Sequence, residues 1–119
     1  MTGGTILIVE DEFLIADAIS DVVSDHGYRP LGPVATLQEA LLLVRDTRPD
    51  AALLNLVLNG ERADPLCELL DSLGVPFGFA TGVDGDADPG MWRDRPRIVK
   101  PYTLANLSEL IAQLLPRRP

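Results

Sequence analysis

A chain of 119 residues and 12.9 kDa has room for one domain around a single layered core. Its formal net charge of −8 argues against a nucleic-acid-binding face, which needs a basic patch. No apolar run exceeds Ala40–Val44, far too short to span a bilayer. The opening Met1-Thr2-Gly3-Gly4 lacks the basic segment of a secretory signal, and the single Cys67 excludes an internal disulfide. A reducing cytoplasm is the expected compartment.

Thr5–Val9 is a short, β-branched, uniformly apolar run, the pattern of a strand buried on both faces. Phe13–His26 follows as a helix with Ile15, Ala18, Ile19, Val22 and Val23 on one stripe, stopped by Gly27. Tyr28–Val34 contains Pro30 and Pro33, which confine it to a sheet edge. Thr36 and Glu39 form a capping box that opens a helix with Leu37, Ala40, Leu41 and Val44 inward. Ala51–Leu56 is a second buried strand, interrupted near its end by Asn55. Asp64 and Pro65 read as N-cap and first residue of a helix presenting Leu66, Leu69, Leu70 and Leu73, with Cys67 packed on the same face. Val75–Ala80 and Arg97–Val99 are the fourth and fifth strands. Thr103 caps a last helix with Leu104, Leu107, Ile111 and Leu114 on one face.

Thr81–Pro96 breaks the rhythm. Gly82, Gly85, Pro89, Gly90 and Pro96 punctuate it, four aspartates add polarity, and no apolar stripe appears. A helical turn around Met91 and Trp92 is the most it predicts, with fast hydrogen exchange and Trp92 against the crevice or on a partner. The alternation of strands and helices predicts an α/β fold: one (βα)5 unit over 1–119, with a doubly wound parallel five-stranded sheet and a short or irregular fourth helix.

In such a sheet, ligands sit outside the carboxyl ends of the strands, where the strand order reverses. The first polar residues after the strands there are Glu10-Asp11-Glu12, Asn55, Thr81 and Lys100-Pro101. An acidic cluster, an amide, a hydroxyl and an ammonium thus converge on one crevice. Each alone has a bland reading: helix-terminal charge, a buried amide, a turn residue, a solvated lysine.

Taken together, ILIVEDE (6–12), PDAALLNLVLNGE (49–61), FATG (79–82) and VKPY (99–102) resemble the CheY-like receiver domains of response regulators, over nearly the whole chain. FATG with LNGE further resembles the single-domain FAT-GUY branch of alphaproteobacteria, although Val83-Asp84 departs from that signature's ending. The resemblance implies the flavodoxin-like strand order 2-1-3-4-5. It implies Mg²⁺ held by Glu10, Asp11, the residue at 55 and the Val57 backbone carbonyl, an oxygen set suited to a hard cation. It implies roles for Thr81 and Lys100 on a transferred phosphoryl group, with a cis Lys100–Pro101 bond aiming the ammonium. The implied partners are a sensor histidine kinase or phosphotransfer protein and a downstream protein.

Two positions depart from the family. Arg97 stands where an aromatic switch residue is usual, and Asn55 stands at the phosphoacceptor aspartate. An amide offers no anionic lone pair and yields no stable acyl phosphate. The missing charge removes roughly 4 kcal/mol of like-charge repulsion at about 4 Å, so Mg²⁺ is expected to bind weakly while Asn55 hydrogen-bonds Lys100 and Asp11. The expected function is a stand-alone receiver acting by protein–protein contact, not an enzyme, and not phosphorylatable at 55. A natural pseudo-receiver and a working receiver carrying an engineered Asp-to-Asn change give the same sequence. A flavodoxin-like flavin binder is disfavoured because three carboxylates occupy its phosphate loop. A haloacid-dehalogenase-type phosphohydrolase lacks its nucleophile and room for a cap.

Overall fold

The computed structural model describes residues 4–81, 90–100 and 102–115. Five parallel strands form one sheet: β1 (Thr5–Val9), β2 (Arg29–Val34), β3 (Ala51–Leu54), β6 (Phe77–Thr81) and β7 (Arg97–Val99), in the order β2-β1-β3-β6-β7. That is the expected 2-1-3-4-5 order with one addition. After β3 the chain makes a two-residue-per-strand antiparallel hairpin, β4 (Val57–Leu58) and β5 (Glu61–Arg62), outside the sheet. The reading from sequence missed this hairpin and ran strand three to Leu56.

Alternation along the strands sorts the core into two layers. Leu7, Val9, Ala52, Leu54, Phe77 and Phe79 face one way and pack with residues of α2 (Leu37–Thr47) and α3 (Asp64–Ser72). Ile6, Ile8, Leu53 and Ala80 face the other way, against α1 (Phe13–Asp25) and α4 (Leu104–Leu114). β2 is an edge strand, as its prolines require. Gly78 lets α4 close on the sheet: a Cβ there would lie 2.9 Å from Leu110 Cδ1 and 3.1 Å from the Pro96 carbonyl oxygen.

Several local expectations need correction. In α1 the buried alanine is Ala16, and Ala18 is exposed. In α4 Leu110 is buried and Leu104 points outward, 67% exposed. Asp64 lies inside the first turn of α3, and Ala63 precedes the helix as its N-cap. The Asp64 carboxylate instead accepts from Arg62 Nε at 2.6 Å and from Trp92 Nε1 at 3.0 Å. Thr36 accepts from the Glu39 N–H at 3.1 Å, but the Glu39 carboxylate reaches the Ala35 N–H and the Thr36 hydroxyl. A reciprocal capping box forms instead at Thr103 and Asn106.

Of the irregular segment, 82–89 lies outside the described residues. Gly90–Trp92 is a single 3₁₀ turn, within the expected limit. Trp92, however, is 3% exposed and packs edge-on against Phe77 at 5.6 Å between ring centroids. Arg95 lies 4.5 Å over the Phe77 ring and pairs with Asp71 of α3. The indole is therefore neither in the crevice nor free for a partner. A side chain inserted into the core replaces part of what an amphipathic helix would have buried.

Candidate functional site

The sheet order reverses between β1 and β3, and the residues leaving those strands meet there. The Asn55 N–H donates to the Val9 carbonyl at 3.1 Å, extending the β1–β3 ladder and placing Asn55 beside the start of Glu10-Asp11-Glu12. Glu10 is 3% exposed, with its N–H on the Val34 carbonyl at 3.0 Å. Its Oε2 accepts from the Glu12 N–H at 3.0 Å, while Oε1 is buried without a hydrogen-bond partner. Burial raises the Glu10 carboxyl above the ordinary carboxylate range, and the neighbouring Asp11 adds to the rise against the Glu12 N–H and Lys100.

Lys100, at the end of β7, reaches into the same space. Its Nζ lies 2.7 Å from Glu12 Oε1 and 3.5 Å from Glu10 Oε1. The longer approach is an ion pair without hydrogen-bond geometry, consistent with Oε1 remaining unpartnered. Burial alone would lower the ammonium's pKa, but the Glu12 and Glu10 carboxylates outweigh it and hold Lys100 above the ordinary lysine value.

The β4–β5 hairpin supplies the fourth wall. Asn59 and Gly60 form its turn in left-handed conformations, φ 52° and 82°. This geometry turns the Asn59 N–H onto Asp11 Oδ2 at 2.8 Å. The Asn55 amide oxygen accepts from the Val57 N–H at 3.5 Å. Among the described residues, then, Asn55 pairs with Val57 rather than with Lys100 or Asp11 as expected. Lys100 has gone to the acidic cluster, where unlike charge is available, and Asp11 to the hairpin. Thr81 ends β6, but its side chain, like Pro101 and the expected cis bond, lies outside the described residues. The hairpin's part in holding Asp11 was missed, although Asn59-Gly60 between apolar residues was its signal in the sequence.

The arrangement is an all-oxygen site with one ammonium. Among the described residues no three histidine, cysteine, aspartate or glutamate side chains form a metal-holding group. Beside the site, Phe13 and Leu14 of α1 are each 80% exposed, and Leu14, Ala18, Leu104 and Leu107 line an apolar groove together with Lys100 and Tyr102.

No family model matches the chain. Similar solved structures include SdrG from Sphingomonas melonis, 40% identical over 93% of this chain and 95% of that one, with a TM-score of 0.83. Its BeF3-activated conformation matches at 42% identity and a TM-score of 0.77, with the same coverage. The receiver domain of PhyR from Erythrobacter litoralis is 26% identical, covering 97% of this chain and 92% of that one, with a TM-score of 0.79. The Phyllosphere-induced regulator PhyR of Methylorubrum extorquens is 32% identical over 117 residues, 92% of this chain and 43% of that protein. The chain spans less than half the length of the curated relatives it matches. Full-length similarity to SdrG, the 2-1-3-4-5 sheet and the FATG segment lead to one assignment: the chain belongs to the receiver-domain family of two-component response regulators, in its FAT-GUY branch.

Proposed function

We propose that this receiver domain acts through protein–protein contacts in an unphosphorylated state, because position 55 cannot accept a phosphoryl group. The observation that carries the reading is the amide of Asn55 at the end of β3, bonded to Val57, with Lys100 drawn away to Glu12 and Glu10. Without a carboxylate there is no nucleophile for an acyl phosphate. Thr81 and Lys100 keep the family's positions for contacting a phosphoryl group that this chain does not receive.

Glu10, Asp11, the Asn55 amide oxygen and the Val57 carbonyl are the residues that would hold Mg²⁺. The buried Glu10 Oε1, with no hydrogen bond and only the 3.5 Å approach of Lys100, suits a hard cation that prefers oxygen. With an amide in place of one carboxylate, the ion is held weakly; when bound it supplies charge neutralisation to a nearby anion. Partners are a sensor histidine kinase or phosphotransfer protein and a downstream protein. Phe13, Leu14 and Leu104, exposed beside the crevice, supply apolar area for such contacts, and Met91 is 75% exposed on the β6–β7 connection.

Intact-mass measurement after incubation with acetyl phosphate and Mg²⁺ tests the reading. The protein is expected to gain no phosphoryl mass, while Asn55→Asp gains a base-labile, acid-stable phosphoryl group. A base-labile phosphoryl adduct on the unsubstituted chain would overturn it.

A further inference from the structure

The hairpin that holds Asp11 carries a covalent weakness. Asn59-Gly60 is the one asparagine–glycine pair in the chain; the other two asparagines, Asn55 and Asn106, are followed by Leu56 and Leu107. Both leucines are buried, at 2% and 1% exposed. Asn59 and Gly60 are exposed, and Gly60 has no side chain to hinder attack by its backbone nitrogen. Among the described residues, the Asn59 amide nitrogen is held by a long contact of 3.4 Å to the Ala35 carbonyl. The Asn106 side chain, by contrast, is tied into the cap of α4.

We propose that Asn59 is a site of spontaneous deamidation, which turns the Asp11-holding turn into an age-dependent structural change. The Gly60 backbone nitrogen attacks Asn59 Cγ, forming a C–N bond and expelling the side-chain amide as ammonia. The resulting succinimide is opened by water at either carbonyl, giving aspartate or isoaspartate at position 59. No oxidant or cofactor is required. Opening of the β4–β5 ladder gives Asn59 Cγ the freedom to reach the Gly60 nitrogen. With two residues in each strand, that ladder is of the marginal kind that opens locally at little cost.

The consequence falls on Asp11. Isoaspartate inserts a methylene into the backbone at the position whose N–H donates to Asp11 Oδ2, which breaks the two-residue turn. Aspartate keeps the turn but brings a second carboxylate beside Asp11. The chemistry does not depend on the reading of position 55, so its failure would leave that reading intact.

The test is prolonged incubation of the folded protein at mildly alkaline pH, with peptide mapping and fragmentation that separates isoaspartate from aspartate. A one-dalton gain is expected at Asn59, at least about tenfold faster than at Asn55 or Asn106, whose neighbours and hydrogen bonds oppose opening. Asn59→Gln should abolish it. NMR of the aged protein should show the Asp11 carboxyl resonance shifted in the modified fraction. Retention of the Asn59 amide in folded protein, over a period in which a peptide of residues 56–63 converts, would overturn the proposal. So would modification that leaves the Asp11 resonance unmoved.

Discussion

Lys100 pairs with Glu12 in a crevice where position 55 offers no charge. A lysine ammonium in a partly buried crevice goes to the nearest anion that can hold it, and with an amide at 55 that anion is Glu12, 2.7 Å away. Glu12→Gln is therefore expected to lower the Lys100 pKa towards its ordinary value, since the hydrogen bond and charge of Glu12 help to raise it. NMR titration of the lysine Nζ measures this directly; an unchanged Lys100 titration would show that Glu12 does not set its state. Tyr102 gives the second test at this scale. Burial, with the Glu10 and Glu12 carboxylates adding, pushes its phenol from 10.0 to about 12. A group whose folded pKa is raised stabilises fully below the unfolded value and loses that contribution as pH rises through the folded one. The chain should lose stability between pH 10 and about 12 through Tyr102, and Tyr102→Phe should show a shallower loss in denaturant midpoint over the same window. Equal slopes would place the phenol in contact with water. Glu10, Asp11, Asn55 and Lys100 were legible as candidates because each follows the carboxyl end of a strand of the parallel sheet. Their pairing was not legible, because it depends on distances that a sequence does not carry.

At the scale of elements, Trp92 and the β4–β5 hairpin depart furthest from the pattern read in the chain. Glycine, proline and aspartate around Trp92 correctly excluded a full helix in the described part, but one large side chain needs no periodicity to be buried. Trp92→Ala is expected to cost about 3–5 kcal/mol, as for other buried aromatic truncations, whereas Trp92→Phe should keep most packing and lose chiefly the bond to Asp64. Denaturant unfolding at constant m-value checks both. A loss from Trp92→Ala within the range of a surface change would mean that the indole does not occupy the core. Anchoring by Trp92 and Arg95 also predicts that exchange slows near these residues relative to the earlier expectation for the whole segment. The hairpin was missed for a different reason. Its strands are two residues long, below the length at which alternation is detectable, and only Asn59-Gly60 betrayed it. The alanine exchange in α1 and the outward Leu104 show the same limit. A stripe reads as a direction, but small or terminal residues do not fix its edge.

For the molecule as a whole, two apolar layers hold a parallel sheet whose carboxyl ends gather the polar residues, and the receiver architecture forms with asparagine at position 55. The fold was readable because uniformly apolar strands and amphipathic helices alternate, and edge strand β2 is marked by its prolines. On the proposed reading, the crevice keeps the family's positions for a phosphoryl group but has Asn55 where the phosphoacceptor carboxylate would stand. Titration with beryllium fluoride at a constant Mg²⁺ concentration, followed by amide NMR, probes this without any transfer chemistry, because the fluoride complex mimics a phosphoryl group only when a carboxylate coordinates it. The account predicts no saturable shift at Asn59, Ile98 or Lys100 in the unsubstituted protein, and a saturable shift at these residues in Asn55→Asp. A saturable shift of equal size in both proteins would contradict it.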